Sequence, residues 1–149
     1  MRIGVIADTH GKVLPEVFTA FSDVSLIFHA GDIGSDAVIS ELETIARVVA
    51  VRGNVDVGFE PPLFPDTRRL RLEGVDIFLC HQPERALNLS PMPDLVIHGH
   101  THRTRDEQIG TTRWFNPGTA GKPKIAGLYT VGLLTLENGH IETEIITMR

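Results

Sequence analysis

Six of the seven histidines in this chain lie in short polar clusters, each cluster following an apolar run. The clusters are Asp8-Thr9-His10, His29-Ala30-Gly31-Asp32, the histidine-free Gly53-Asn54, His81, and His98-Gly99-His100-Thr101-His102. Imidazole nitrogens and carboxylate oxygens gathered at the ends of apolar segments are the donors of a metal site. Asp8 and His10, one residue apart, offer two ligands of different hardness from a single turn. Gly31 lets the backbone come close just before Asp32, and a carboxylate there has two oxygens with which to bridge two ions. Asn54 adds an amide oxygen, and His81, His100 and His102 add imidazole nitrogens. The seven candidates, Asp8, His10, Asp32, Asn54, His81, His100 and His102, are too many for one tetrahedral zinc and suit a pair of divalent ions. With no thiolate among them, manganese comes first, and nickel, iron or zinc fit the same donors better than calcium does.

Elements that end where the chemistry begins must carry these residues. Ile3 to Ala7, Leu26 to Phe28, Val48 to Val51 and Leu95 to Ile97 are near-continuous apolar runs, the pattern of strands buried on both faces. Side by side in one sheet, their ends would meet at one crevice. Between the first two strands, Val13, Val17, Phe18 and Phe21 have helical spacing, with Pro15 tolerable in the first turn. Ser35 reads as the N-cap of a second helix running through Arg47, with Val38, Ile39, Leu42, Ile45 and Ala46 forming one stripe. The second half reads as hairpins: Leu70–Leu72 with Val75–Leu79, Arg103–Ile109 with Thr112–Phe115, and Leu128–Leu136 with Ile141–Ile146 around Asn138-Gly139. Glu60 to Pro65 is the one proline-rich stretch and reads as a surface loop near the site.

Bulk composition sets limits. At 149 residues and 42% hydrophobic content, residues 1–149 fit one domain with a real core. A net charge of -5 argues against a long nucleic-acid footprint, which needs a basic face. The lone cysteine, Cys80, has no internal disulfide partner and reads as a small buried hydrophobe. The opening apolar run is shorter than a secretory signal core and no stretch approaches membrane-spanning length, which predicts a cytoplasmic protein with no membrane partner. A homo-oligomer is compatible with these numbers.

Taken in order, Asp8-Thr9-His10, Gly31-Asp32, Gly53-Asn54, His81 and Gly99-His100-Thr101-His102 resemble the motifs of the calcineurin-like metallophosphoesterases, and among them the small prokaryotic phosphodiesterases. That resemblance implies an α/β fold, a four-layer α/β/β/α sandwich of two mixed sheets flanked by helices, with the metal site at strand ends. It implies that Asp8, His10 and His102 hold one ion, that Asn54, His81 and His100 hold the other, and that Asp32 bridges them. Asp32, Asn54 and His81 are also the catalytic candidates. Asn116-Pro117-Gly118-Thr119 resembles a family loop beside the site and reads equally well as an ordinary turn. The reaction implied is hydrolysis of a small phosphodiester by a water or hydroxide held between two divalent ions about 3.5–4 Å apart.

One departure bears on mechanism. Many members of the broader family have a histidine after the Gly-Asn pair that looks like the general acid for the leaving group, but this chain has Val55. Asp56 follows and could orient a neighbouring histidine; Asp36 lies four residues after Asp32 rather than three and reads as a first-turn helix carboxylate. His98 reads as a hydrogen-bonded histidine behind the ligands, His29 as the same with a claim to be the missing acid, and His140 as exposed. Arg103, Arg105 and Arg113 read as a solvated hairpin face, or else as a site for substrate phosphate. Two other functions fit the same fold: a phosphomonoesterase, and a non-catalytic metal-binding interaction scaffold of the kind the retromer small subunit exemplifies. Seven competent donors favour the enzyme.

Overall fold

The four apolar runs are strands, and their pairing divides them between two sheets. The computed structural model describes residues 1–56, 64–123 and 127–148. In it β1 (Arg2–Ile6), β2 (Leu26–His29) and β3 (Arg47–Ala50) lie parallel to one another, and β9 (Tyr129–Glu137) and β10 (His140–Met148) add antiparallel to the free side of β1, giving the order β10-β9-β1-β2-β3. The second sheet has the order β4-β5-β6-β8-β7, from β4 (Thr67–Leu72), β5 (Val75–Cys80), β6 (Leu95–Ile97), β7 (Thr104–Ile109) and β8 (Thr112–Pro117). Its three inner strands are parallel and both edges antiparallel. The run at 95–97 therefore does not join the other three in one sheet; it pairs with β5 and β8.

Side-chain alternation explains the layers. Ile3, Val5, Phe28 and Val49 face Ile77, Leu79, Ile97 and Phe115 in one cluster between the sheets. The opposite faces of β1, β2 and β9 pack under α1 (Pro15–Ala20) and α2 (Asp36–Glu43) through Ile6, Ile27, Val131, Val17, Phe21 and Leu42. On the far face of the second sheet, Phe78, Val96 and Trp114 are covered by Ala86 of a single 3-10 turn, Pro83–Ala86. The result is the expected four-layer sandwich with one outer layer reduced, among the described residues, to that turn.

Both helices are shorter than their apolar spacing predicts. Pro15 occupies the first helical position of α1 with no side chain capping it. The Ser35 side chain accepts from the Ala37 amide at the start of α2 as expected, but that helix ends at Glu43, because the backbone from Arg47 is already paired to Leu26 as β3. Glu73-Gly74 and Asn138-Gly139 are two-residue hairpin turns with positive φ at both positions, 49° and 77°, 47° and 82°, as a type I′ turn demands. The proline-rich stretch at 60–65 lies mostly outside the described residues. No helix among the described residues is long and apolar enough to cross a membrane.

A candidate metal centre at the seam of the two sheets

The turns that follow the strands hold one another before any side chain is considered. Past β1, the amides of Asp8, His10 and Gly11 donate to the carbonyls of Gly31, Asp32 and Ile33 past β2, at 3.0, 3.0 and 2.7 Å. The Gly99 amide after β6 donates to the His81 carbonyl after β5, and the Ala120 amide after β8 donates to Ala7, which joins the two sheets at this end. Within these turns Asp8, His10, Asp32, His100 and His102 all have left-handed backbones, with φ of 55°, 49°, 56°, 74° and 60°. Five of the seven candidate ligands thus sit in a conformation that costs a non-glycine residue about 1–3 kcal/mol, strain of the kind found where side chains are held for function. The remaining non-glycine positive φ values, at Glu73 and Asn138, belong to the hairpin turns.

Asp56, almost fully buried, fixes the third turn. Its carboxylate accepts from the amides of Ile33, Gly34 and Gly53 at 3.0, 2.9 and 2.8 Å, tying the Gly53-Asn54 turn to the segment after Asp32. It orients no histidine; its oxygens are taken by backbone. Close packing demands two of the glycines: a Cβ on Gly31 would lie 2.8 Å from the His81 ring, and one on Gly53 would overlap the Asp32 carboxylate. The Asn116–Thr119 loop is likewise structural. Asn116 donates to the Gly99 carbonyl and the Thr101 hydroxyl, and the Thr119 hydroxyl donates to the Asp8 carbonyl.

Side chains of Asp8, His10, Asp32 and His102 converge so that one donor atom from each lies within 4.8 Å of the others. His102 Nε2 is 3.4 Å from Asp8 Oδ1, and His10 Nε2 is 3.7 Å from Asp32 Oδ2. His81 adjoins this group, its Nε2 3.3 Å from Asp32 Oδ2 and 3.9 Å from Asp8 Oδ1. The His100 ring stands edge-on to that of His81 at 5.1 Å between centroids and is exposed, as is Asn54, whose Oδ1 accepts from Gln82 at 3.5 Å. So four of the seven candidates form a tight group, His81 touches it, and Asn54 and His100 line the open side.

Both oxygens of Asp8 and the Nε2 atoms of His10 and His81 are buried with no hydrogen-bond partner. Buried polar atoms of this number are not left unsatisfied without reason. Histidine tautomers are set for the same end: Nδ1 of His81 donates to the Ala30 carbonyl at 2.8 Å and Nδ1 of His102 to the Lys122 carbonyl at 2.7 Å, which leaves each Nε2 with a lone pair facing the carboxylates. An all-nitrogen-and-oxygen donor set with lone pairs converging on one space fits a divalent cation.

Electrostatics divide the two carboxylates. Burial pushes Asp8 up to about 6, the charges of His81 and His102 only partly opposing it. Burial acts on Asp32 in the same sense, but His81 outweighs it, helped by the Val55 amide at 3.1 Å and by His10, and the carboxyl falls to about 2. Burial depresses His81, yet the Asp32 and Asp8 carboxylates win and the imidazole stands above its ordinary value. His10, with less carboxylate around it, is depressed by burial.

The other histidines are occupied elsewhere. His29 accepts from the Gly31 amide at Nδ1 and donates from Nε2 to Thr9, whose hydroxyl donates to Ile33; fully buried, it is pushed down to about 3. Neutral, with its one N–H committed to Thr9, it is not the missing acid. His98 turns to the outer face of the second sheet, against Trp114, with Nδ1 on the Gly99 carbonyl and Nε2 3.3 Å from Arg105; burial holds it near 4. It therefore does not stand behind His100. Arg105 stacks on Trp114 and pairs with Glu107, Arg113 pairs with Asp106, and His140 is exposed, so the solvated-face reading of that hairpin holds for both paired arginines.

Residues 1–139 match the calcineurin-like phosphoesterase superfamily domain, and the chain belongs to that family. It is 36% identical to a probable metallophosphoesterase of Methanothermobacter thermautotrophicus, over 98% of this chain and 92% of the relative. It is 30% identical to a phosphodiesterase of Methanocaldococcus jannaschii, over 92% and 94%. Among solved structures, an archaeal phosphodiesterase superposes with a TM-score of 0.77 at 27% identity, over 98% of this chain and all of the other.

Two outcomes follow from this geometry. Asp56→Asn keeps a carbonyl but aims an amide donor at backbone donors, and should lower unfolding stability in urea by about 2–3 kcal/mol while weakening manganese binding. The second is a pH dependence. Asp8 holds its proton up to about pH 6 and His81 to a value above its usual one, and a metal must displace those protons. Manganese affinity measured by titration calorimetry should therefore be full near pH 8 and fall steeply as pH drops through 6.

Proposed function

We propose that this chain hydrolyses phosphodiester bonds with two divalent ions, held by Asp8, His10 and His102 on one side, by Asn54, His81 and His100 on the other, and by Asp32 between them. The observation that carries the reading is the set of buried donor atoms on Asp8, His10 and His81 with no protein partner. A scaffold that binds no metal would gain nothing from keeping those atoms unsatisfied. Manganese is the ion we favour for a donor set without sulfur.

When bound, such ions lower the pKa of water toward about 7 and neutralise charge on the phosphoryl oxygens. The chain's part is to hold the donors. Ala30 and Lys122 carbonyls accept from Nδ1 of His81 and His102 and so turn each Nε2 toward the carboxylates. The Val55 amide occupies one oxygen of Asp32 and aims the other at His10 and His81. No side chain serves as nucleophile: the only cysteine, Cys80, is buried on the far side of β5, its thiol pushed up to about 12. Such a lone, inert thiol suits the reducing cytoplasm, where we place the reaction.

Among the described residues, no general acid stands beside the site either. Val55 is half exposed at the position after Asn54, Asp56 is bound to three amides, and His29 is locked in its neutral form. Diesters whose leaving group can depart unprotonated are the substrates this arrangement serves, in keeping with relatives named as phosphodiesterases.

Chelator-treated protein should hydrolyse bis(4-nitrophenyl) phosphate only after manganese is restored, with elemental analysis finding close to two ions per chain. Asp32→Ala should lose more than about tenfold in kcat/KM, or about 1.4 kcal/mol of transition-state stabilisation, while circular dichroism stays unchanged; full activity in that variant would remove Asp32 from the proposed role. Across a series of aryl and alkyl diesters, the rate should fall steeply as leaving-group pKa rises, and a flat profile would mean that a proton donor is present after all.

A further inference from the structure

Beside the donor group lies a cleft of about 150 Å³, lined by Arg52, Asn54, Asp66, His81, Gln82 and Arg85 together with Gly53. Two of its walls, Asn54 and His81, are candidate metal ligands, so whatever fills the cleft sits next to the reacting phosphoryl group. Its chemistry is cationic. Arg52 is committed to Asp66, with Nε on Oδ1 at 2.6 Å and a second contact at 3.4 Å. Arg52, and after it the charge of Arg85, keep that carboxyl below its usual pKa, so Asp66 stays ionised and offsets one of the two guanidinium charges, chiefly that of its bonded partner. Arg85 remains. It projects from the 3-10 turn that follows His81 and is exposed. Arg52, Arg69, Arg105 and Arg113 each have a carboxylate partner, whereas Arg85 has no side-chain partner among the described residues. A net positive rim with neutral hydrogen-bonding groups, Gln82 and Asn54, is a receptor for an anion.

We propose, resting on the phosphodiesterase reading, that this cleft is the leaving-group subsite and that Arg85 recognises a second anionic group, a phosphate or phosphonate, carried by the alcohol that departs. The substrate class is then a phosphodiester whose leaving alcohol is itself phosphorylated. This assignment also bears on the missing acid. A cation beside the departing group offsets part of its charge without transferring a proton.

Methyl 4-(phosphonomethyl)phenyl phosphate and methyl 4-methylphenyl phosphate test the idea. In both, water adds to phosphorus, the bond from phosphorus to the aryl oxygen breaks, and methyl phosphate and a phenol are released. The methylene insulates the phenol from the phosphonate, so the two leaving groups differ chiefly in the remote charge. With manganese-loaded protein, kcat/KM should favour the phosphonate substrate by about tenfold, an ordinary gain for a charge-assisted contact. In Arg85→Ala the ratio of the two values should fall close to one, the change residing in KM, and Arg85→Lys should retain part of it. A wild-type ratio near one, or a ratio that Arg85→Ala leaves intact, would overturn the subsite. Inertness of both diesters in protein that still hydrolyses bis(4-nitrophenyl) phosphate would overturn the subsite, whereas inertness of all three at every manganese loading would defeat the phosphodiesterase reading and the assignment of the cleft with it.

Discussion

A carboxylate buried with neither oxygen bonded is the constraint around which this end of the molecule is built. Asp8 is fully inaccessible, both its oxygens lack a partner, and Nε2 atoms of His81 and His102 stand 3.9 and 3.4 Å from it. Left to relax, such a group would find a backbone amide, because an unsatisfied buried polar atom costs several kcal/mol. The surroundings prevent that. Nearby amides are spent on the Gly31 to Ile33 carbonyls and on Asp56, and histidine Nδ1 protons are spent on the carbonyls of Ala30 and Lys122. Competing donors are thus used up locally, and the lone pairs that remain all face one space.

That space lies on the seam between two sheets, which ties its geometry to the inter-sheet core. The first sheet delivers the candidates Asp8, Asp32 and Asn54 from the ends of β1, β2 and β3; the second delivers His81 after β5 and the candidates His100 and His102 after β6. Neither sheet holds a complete donor set. Their distance is set by the packing of Phe28, Val5, Leu79, Ile97 and Phe115, interiors that resist compression as crystals do. Parallel strands serve this purpose because all their carboxyl ends emerge on one side, where an open crevice forms.

How far the sequence reveals this depends on which physics is involved. Donor residues at the ends of Val- and Ile-rich runs are visible because burial on both faces leaves a continuous apolar signature and the first polar residues after it mark the strand's end. Which sheet a short run joins is not visible: Leu95–Ile97 looks like the runs of the first sheet and pairs in the second, since register is decided by partners far away in sequence. The α2 stripe continues past Glu43 in sequence but not in space, because strand pairing at Arg47 overrides helical propensity. Asp56 illustrates a third kind of miss. Its charge and position invite a role beside a histidine, whereas its oxygens bind three backbone amides that sequence leaves unmarked. The left-handed backbones of five candidate ligands leave no trace either, because Asp and His tolerate that conformation without being diagnostic of it.

Charge decides what such a site can recognise. The chain carries a net charge of -5, so its overall field repels anions and attraction must be local. With two divalent ions bound as proposed, four positive charges meet only the carboxylates of Asp8 and Asp32, while the histidines and Asn54 contribute none. The centre becomes a positive spot in an acidic surface, and the cleft rim carrying Arg85 extends it, since Asp66 neutralises Arg52. Ion attraction at these separations is screened beyond about 8–10 Å, so a phosphoryl group senses the centre only from within the cleft's own dimensions. A cleft of about 150 Å³ has room for little steric discrimination; on the proposed reading, selectivity rests on where a substrate carries its negative charges rather than on the shape of what lies between them.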